Sequence, residues 1–134
     1  MHIHHLAIWV DDLEQAKHFY TLYFKGIASP KYHNEKKGFT SYFIRFEQGA
    51  ELELMHMNGL DDTPALQRGH SLGIAHMAFG LKHRQQVDEL TEQLRTNGYT
   101  IAGEPRVTGD GYYESVVLDP EGNRLELVSL SIES

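Results

Sequence analysis

Two histidines and two glutamates occur at matching places in two similar stretches of this chain. His5 opens the run HLAIW, and His76 opens the run HMAFG. Further along each stretch, Glu53 and Glu126 stand within the same Leu-Glu-Leu triplet, at nearly the same distance from their histidine. Imidazole nitrogens and carboxylate oxygens are common ligands of divalent transition metals. The repeated pattern therefore predicts one metal site that is built from His5, Glu53, His76 and Glu126.

The residues around these four side chains alternate in the manner of β-strands. Because successive side chains of a strand point to opposite faces, the leucines beside each glutamate face the other way. Those apolar neighbours must pack on a helix, since a helix is the only apolar cover that each half of the chain provides. All four polar side chains are therefore predicted to point into a common concavity, where a cation would satisfy their charges.

The order of predicted elements is also repeated. A strand, a helix and three strands are predicted over 1–58 and again over 73–134, and a linker rich in turn residues over 59–72. Because a repeat of this length fixes the architecture, we predict a single α+β domain over 1–134. Two tandem βαβββ modules would form one curved mixed sheet, with the helices on its convex face and the metal site in its concave cleft.

Local signals place the ends of several elements. Asp11 is predicted to cap the first helix, with Glu14 completing a capping box, and Gly26 to end it. A short strand is predicted over 27–33, and Pro30 favours an edge position for it. The second helix is predicted over 84–97.

Composition narrows the possible partners of the chain. Its 134 residues carry a net charge of -7, with 19 acidic and 12 basic residues and no cysteine. This balance disfavours nucleic acids and anionic membrane surfaces, both of which attract basic proteins. The lack of cysteine excludes disulfides and thiolate chemistry. We expect a cytoplasmic protein.

The motifs resemble those of the vicinal-oxygen-chelate superfamily, which includes glyoxalases, bleomycin-resistance proteins and dioxygenases. The resemblance covers essentially the whole chain, and its carriers are HLAIWVDDL at 5–13, FY at 19–20, LEL at 52–54, GIAHMAF at 73–79 and DPEGNRLEL at 119–127. It implies that the four predicted ligands hold one divalent metal ion per site. Zinc or nickel is expected first, with cobalt, manganese or iron as alternatives. It also implies a homodimer, with each site built within one chain or shared across the dimer.

The ligand set looks most like that of bacterial glyoxalase I, a metal-dependent lactoylglutathione lyase. The chain departs from that enzyme at Trp9 and Met57, where an arginine and an asparagine usually grip glutathione. The resemblance therefore implies a lyase or isomerase acting on a small α-oxo substrate or thiol adduct, without specifying glutathione. Trp9, Met55 and Tyr42 are predicted to form a more apolar wall for the substrate. The alternatives are a non-catalytic small-molecule or antibiotic-binding protein, and an epimerase or dioxygenase of the same superfamily.

The chemistry that suits two histidines and two glutamates around a metal is proton abstraction next to a carbonyl. By resemblance, Glu126 is the predicted base and Glu53 the second acid or base. Glu51 is an alternative ligand, because it shares a strand face with Glu53. Glu114 is either a supporting residue on a neighbouring strand or, as most such residues are, simply solvated.

Overall fold

The structure is a computed structural model, and it describes residues 1–61, 64 and 67–130. The chain divides into two compact units, Met1–Asp62 and Thr63–Ser134. Each unit has a helix and its own mixed sheet, so the predicted α+β class is confirmed. The predicted linker contains residues 62, 63, 65 and 66, and the second predicted module contains 131–134. These positions lie outside the described residues.

The first unit holds one helix and five strands. In chain order they are β1 (His5–Trp9), α1 (Leu13–Leu22), β2 (Ile27–Ala28), β3 (Tyr32–Asn34), β4 (Phe39–Arg45) and β5 (Glu51–Met57). The sheet order is β1-β5-β4-β2, with β3 also paired to β4. Only β1 and β5 run parallel. The predicted strand 27–33 is thus two short strands, with Pro30 between them.

The core of the first unit lies between α1 and one face of the sheet. The helix buries Phe19 and Tyr20 completely, and the sheet buries Ile44 and Leu54 against it. These residues recur at helical and strand spacing, so the same pattern that predicted the elements also produces the core. On β1 and β5, the side chains of odd-numbered residues, among them His5, point to the opposite face of the sheet.

The second unit repeats this arrangement with one strand fewer. Its elements are β6 (Met77–Leu81), α2 (Arg84–Thr96), β7 (Ile101–Val107), β8 (Tyr113–Leu118) and β9 (Arg124–Ser129). The sheet order is β6-β9-β8-β7, and again the first and last strands of the unit pair in parallel. Val87 and Leu94 from α2 pack with Leu125 and Leu127, and all four are fully buried.

The ends of α1 differ from the prediction. The cap is Asp12, whose carboxylate accepts a hydrogen bond from the Gln15 backbone at 3.0 Å, so the predicted Asp11 cap is wrong by one residue. The left-handed residue after the helix is Lys25, with φ 57°, and not Gly26. Gly26 is required for a different reason. A Cβ added there would overlap the Ile44 side chain.

Neither described helix could span a membrane. Helix α1 has 10 residues and α2 has 13, and both carry charged side chains.

Candidate metal centre

In the first unit, His5 and Glu53 come together on the sheet face away from α1. The distance from His5 Nε2 to Glu53 Oε1 is 3.7 Å, and the two side chains are 40% and 16% exposed. The parallel register sets Ala7 opposite Glu53, so the glutamate reaches back diagonally toward the histidine. The second ring nitrogen of His5 lies 2.8 Å from a ring nitrogen of His4.

In the second unit, His76 and Glu126 form the corresponding pair. His76 Nε2 lies 3.2 Å from Glu126 Oε1, and the side chains are 40% and 22% exposed. His76 immediately precedes β6, so the predicted strand over 73–81 is shorter than expected at its start. Ala78 lies opposite Glu126.

The two pairs have the same geometry relative to their strands. In each unit an alanine two residues after the histidine lies opposite the glutamate of the parallel partner strand: Ala7 opposite Glu53, and Ala78 opposite Glu126. Each glutamate is flanked by buried leucines, which hold its strand against the helix. The sequence repeat is thus a structural repeat of a histidine–glutamate pair, and we call each pair a half-site of the predicted metal centre.

Each half-site offers one imidazole nitrogen and one carboxylate oxygen at adjacent positions. Within either unit, the part of the chain that the structure describes holds no group of three or more His, Asp or Glu side chains that could bind a metal ion. Each unit by itself therefore brings together two of the four predicted ligands. Mixed nitrogen and oxygen donors of this kind fit zinc, nickel, cobalt, manganese and iron.

Tyr42 does not lie beside the first pair. Its hydroxyl donates to Glu14 Oε1 at 2.8 Å, and Lys17 of α1 lies 4.7 Å from the centre of its ring. Tyr42 is therefore on the helix side of β4, and the prediction that it lines the substrate site is corrected. Burial, followed by the hydrogen bond to Glu14, raises the pKa of the Tyr42 hydroxyl.

Phe43 takes the position that was expected for Tyr42. It lies opposite Glu53 in the antiparallel register, and its ring centre is 5.4 Å from that of His5 in an edge-to-face contact. Two successive aromatic residues make the strand pattern ambiguous. The sequence offered one way to choose between Tyr42 and Phe43. Counting residues back from Glu53 across the turn between β4 and β5 places Phe43 opposite Glu53.

Trp9 and Met55 lie where they were predicted, on the same sheet face as the first pair. They are opposite each other in register, and Trp9 is 46% exposed. The Trp9 ring also meets Phe39 edge to face, with centres 6.0 Å apart. An apolar surface therefore continues along the strands from His5.

Glu114 is buried, with only 7% of its surface exposed, so the expectation of a solvated residue is wrong. Glu114 lies on β8, opposite Val128 of β9, and forms a side-chain hydrogen bond with Glu126. Burial raises the pKa of the Glu114 carboxyl, and the charge and hydrogen bond of Glu126 raise it further, while Arg106 lowers it. The second half-site thus contains an acidic neighbour beside Glu126.

Two further histidines and the alternative ligand Glu51 have different neighbours. His56 Nδ1 lies 2.9 Å from the Val10 carbonyl oxygen, a contact that ties β5 to the end of β1. His83 precedes α2, and its backbone N–H donates to the Gln86 side chain. Glu51 lies opposite His5 in register, but the ion pair of His5 is with Glu53.

The sequence profile of the Glyoxalase/Bleomycin resistance protein/Dioxygenase superfamily matches residues 2–127. This chain belongs to that superfamily. Among curated proteins, the uncharacterized protein YqjT of Bacillus subtilis is 28% identical over 136 residues, which cover 96% of this chain and 99% of YqjT.

Solved glyoxalase structures share the fold. Glyoxalase I from Zea mays superposes with a TM-score of 0.79 at 24% identity, over 97% of this chain and 45% of the maize chain. The chain therefore spans a little under half of the maize enzyme. The trypanothione-dependent glyoxalase I of Leishmania major gives 0.76 at 24% identity, over 96% of this chain and 86% of that enzyme. A glyoxalase family protein of Enterococcus faecalis gives 0.76 at 25% identity, over 95% and 96%.

Proposed function

We propose that this superfamily member is a metal-dependent lyase or isomerase that acts on a small α-oxo compound or its thiol adduct. The observation that carries the proposal is the pair of equivalent half-sites, His5 with Glu53 and His76 with Glu126. Two ligands rarely hold a metal tightly, whereas four nitrogen and oxygen donors complete an ordinary site. The proposal is that both half-sites bind the same divalent ion, within one chain or across a homodimer.

The donor set determines which chemistry is suitable. A bound divalent cation would supply positive charge where the carbonyl oxygens of the substrate gain negative charge. The two glutamates are placed to handle protons, since both carboxylates are partly buried yet still accessible. We assign Glu126 as the base that removes the proton from the carbon next to the carbonyl and passes it to the former carbonyl oxygen. Glu53 takes the proton of the adjacent hydroxyl group and returns it at the former carbonyl carbon.

The surroundings of the two glutamates support this division of roles. Glu126 has the buried Glu114 carboxyl beside it, and burial together with the charge of Glu126 raises the pKa of Glu114. Glu53 has the Phe43 ring on the neighbouring strand. The apolar surface of Trp9, Met55 and Phe43 would exclude water from a bound substrate.

The experiment is a proton-transfer assay on the protein loaded with zinc or nickel. Methylglyoxal is mixed in D2O with one thiol at a time, and NMR follows the hydroxyacyl product and the deuterium at its carbon. The proposal predicts turnover that a chelator abolishes, that added metal restores, and that Glu126→Gln removes while the far-ultraviolet spectrum stays unchanged. Binding without turnover, unaffected by chelators, would instead identify a sequestering protein.

We also propose a homodimer with a cytoplasmic location, on the family resemblance and the composition of the chain. Sedimentation equilibrium of the metal-loaded protein tests the first point, and cell fractionation tests the second. A monomer with full metal content and turnover would place all four ligands of a site in one chain.

A further inference from the structure

The half-site of the first unit continues into a row of side chains that crosses three more strands. His5 lies opposite Glu51. The β4–β5 register ends with Ile44 opposite Leu52, and continuing it by one residue brings Arg45 beside Glu51, with which it shares a cavity wall. Ile27 lies opposite Arg45 at the far edge. Neighbouring strands are about 4.8 Å apart, so the Arg45 Cα lies about 10 Å from that of His5. A small molecule held at the half-site would reach this arginine.

A cavity of about 300 Å³ lies at this end of the sheet face. Its lining residues include Ile27, Ala28, Pro30, Phe43, Arg45 and Glu51. The ring of Phe43 also contacts His5, so the cavity adjoins the half-site directly. This volume is at the lower end of the range for small-ligand pockets, and the mixture of apolar walls with a few charged groups is typical of them.

Arg45 brings an uncommitted positive charge to the cavity. Its side chain is exposed, and it makes no hydrogen bond or ion pair within the described part of the chain, although Glu51 is its cross-strand neighbour. By contrast, Arg95 pairs with two glutamates, Glu92 and Glu104. A guanidinium has five N–H donors and matches a carboxylate in a two-point contact.

We propose that Arg45 binds a carboxylate on the substrate, so that the substrate class is an α-oxo compound, or its adduct, with an anionic tail. This inference rests on the proposed function, because the reacting oxygens of the same molecule would occupy the half-site. The second unit differs in this row. The position equivalent to Arg45 is Leu118, and Arg124 lies opposite it at the position equivalent to Glu51. The proposal assigns the tail to Arg45 because the cavity lies beside that residue.

Glu51 weakens the contact between Arg45 and a substrate carboxylate. It is half-buried and lies between His5 and Arg45 in the row, so its negative charge opposes a carboxylate in the same cavity. Replacing Glu51 by glutamine keeps its shape and removes the repulsion. The proposal therefore predicts that Glu51→Gln strengthens carboxylate binding, opposite in sign to Arg45→Gln.

Two matched probes test the proposal by calorimetry on the zinc-loaded protein. Benzohydroxamate presents two neighbouring oxygens to a metal, and 4-carboxybenzohydroxamate adds only the carboxylate. We expect the carboxylated probe to bind about tenfold more tightly at low salt, since a charge-assisted contact contributes about 1.4 kcal/mol or more. Arg45→Gln should abolish this preference, Arg45→Lys should keep part of it, and Glu51→Gln should increase it. Lys36→Ala, which removes one positive charge from an exposed turn, should leave it unchanged.

The outcomes separate the two proposals. Equal affinity of the probes for the wild type overturns the role of Arg45 and leaves metal chelation intact. A preference that depends on Arg45 but survives metal removal supports the anion site and contradicts binding of the probe's oxygens to the metal. Failure of both probes to bind the zinc-loaded protein overturns both.

Discussion

The two units position the same pair of side chains in different surroundings. Both place a histidine and a glutamate on neighbouring parallel strands, with contacts of 3.7 Å in the first unit and 3.2 Å in the second. The first pair has the ring of Phe43 beside it, whereas the second has the buried acid Glu114. The repeat therefore maintains the ligands, while the strand next to each pair sets its electrostatics. This difference predicts unequal roles for the two glutamates.

The two units also differ in the residues that are buried between the helix and the sheet. In the first unit, Tyr20 of α1 and Tyr42 of β4 are buried between the helix and the sheet. The corresponding positions of the second unit hold Thr91 of α2 and Ser115 of β8, which are also buried. Thr91 Oγ1 and Ser115 Oγ lie 2.8 Å apart and are completely buried. One core is thus closed by aromatic surface and the other by a buried hydrogen bond.

The largest expected effect distinguishes the two ligand glutamates. At saturating metal, Glu126→Gln should lower turnover by about a thousandfold, because a general base contributes 10²–10⁴ in rate. Glu53→Gln should lower it less, since its nearest strand neighbour is apolar and its proton step follows the first. Both rates are measured by product NMR at matched metal content. Equal losses in the two variants would contradict the assignment of unequal roles.

The glycines that follow the two helices should respond differently to substitution. Gly26→Ala forces a Cβ against Ile44, and overpacking of this kind costs about 1–3 kcal/mol. Gly98 has φ 89° with nothing near its Cβ position, so Gly98→Ala costs about 1 kcal/mol from backbone strain alone. Urea unfolding measures both. Replacement by asparagine, which tolerates the left-handed region, should recover stability at Gly98 and not at Gly26.

The buried hydroxyl pair should couple energetically. Thr91→Val leaves the Ser115 hydroxyl without this partner and should cost about 1–3 kcal/mol of unfolding free energy. Adding Ser115→Ala should restore part of the loss. In the first unit, Tyr42→Phe removes a hydroxyl bonded to the exposed Glu14 and should cost about 1 kcal/mol or less. A strictly additive double variant would show that the two hydroxyls do not depend on each other.

The smallest expected effect is the pH dependence that Glu114 confers. Its pKa in the folded protein is raised above the ordinary 4.5 by burial and by Glu126. A raised pKa stabilises the fold while the carboxyl stays protonated, so this contribution is complete below pH 4.5 and is lost as the pH rises through the raised value. Urea unfolding of the metal-free protein at a series of pH values measures it. Glu114→Gln should flatten the curve, and Glu35→Gln, in an exposed turn, should not.

Alternation along the strands was sufficient to predict that each histidine and its glutamate share a sheet face. Leu52 and Leu54 needed a helix to cover them, which left Glu53 on the other face, and the structure confirms that placement. The strand class and the two helices followed from the same patterns. The joining of the two half-sites around one metal stays a prediction.

Residues next to the half-sites were less predictable, because their positions depend on pairing between strands. Tyr42 and Phe43 are adjacent aromatic residues, and only the register with β5 decides which one faces Glu53. Glu114 looks like any polar strand residue until β7 and β9 are placed on either side of it. Arg45 is not distinguishable from other exposed strand residues until the cavity beside it is known.

Metal stoichiometry tests the central claim most directly. The wild type, His5→Ala and His76→Ala are dialysed against zinc at fixed free concentration, and bound metal per chain is measured by mass spectrometry. If the two half-sites share one ion, the wild type binds one zinc per chain and each single variant loses nearly all of it. Two zinc ions per chain in the wild type, with one retained in each variant, would show that the half-sites are independent.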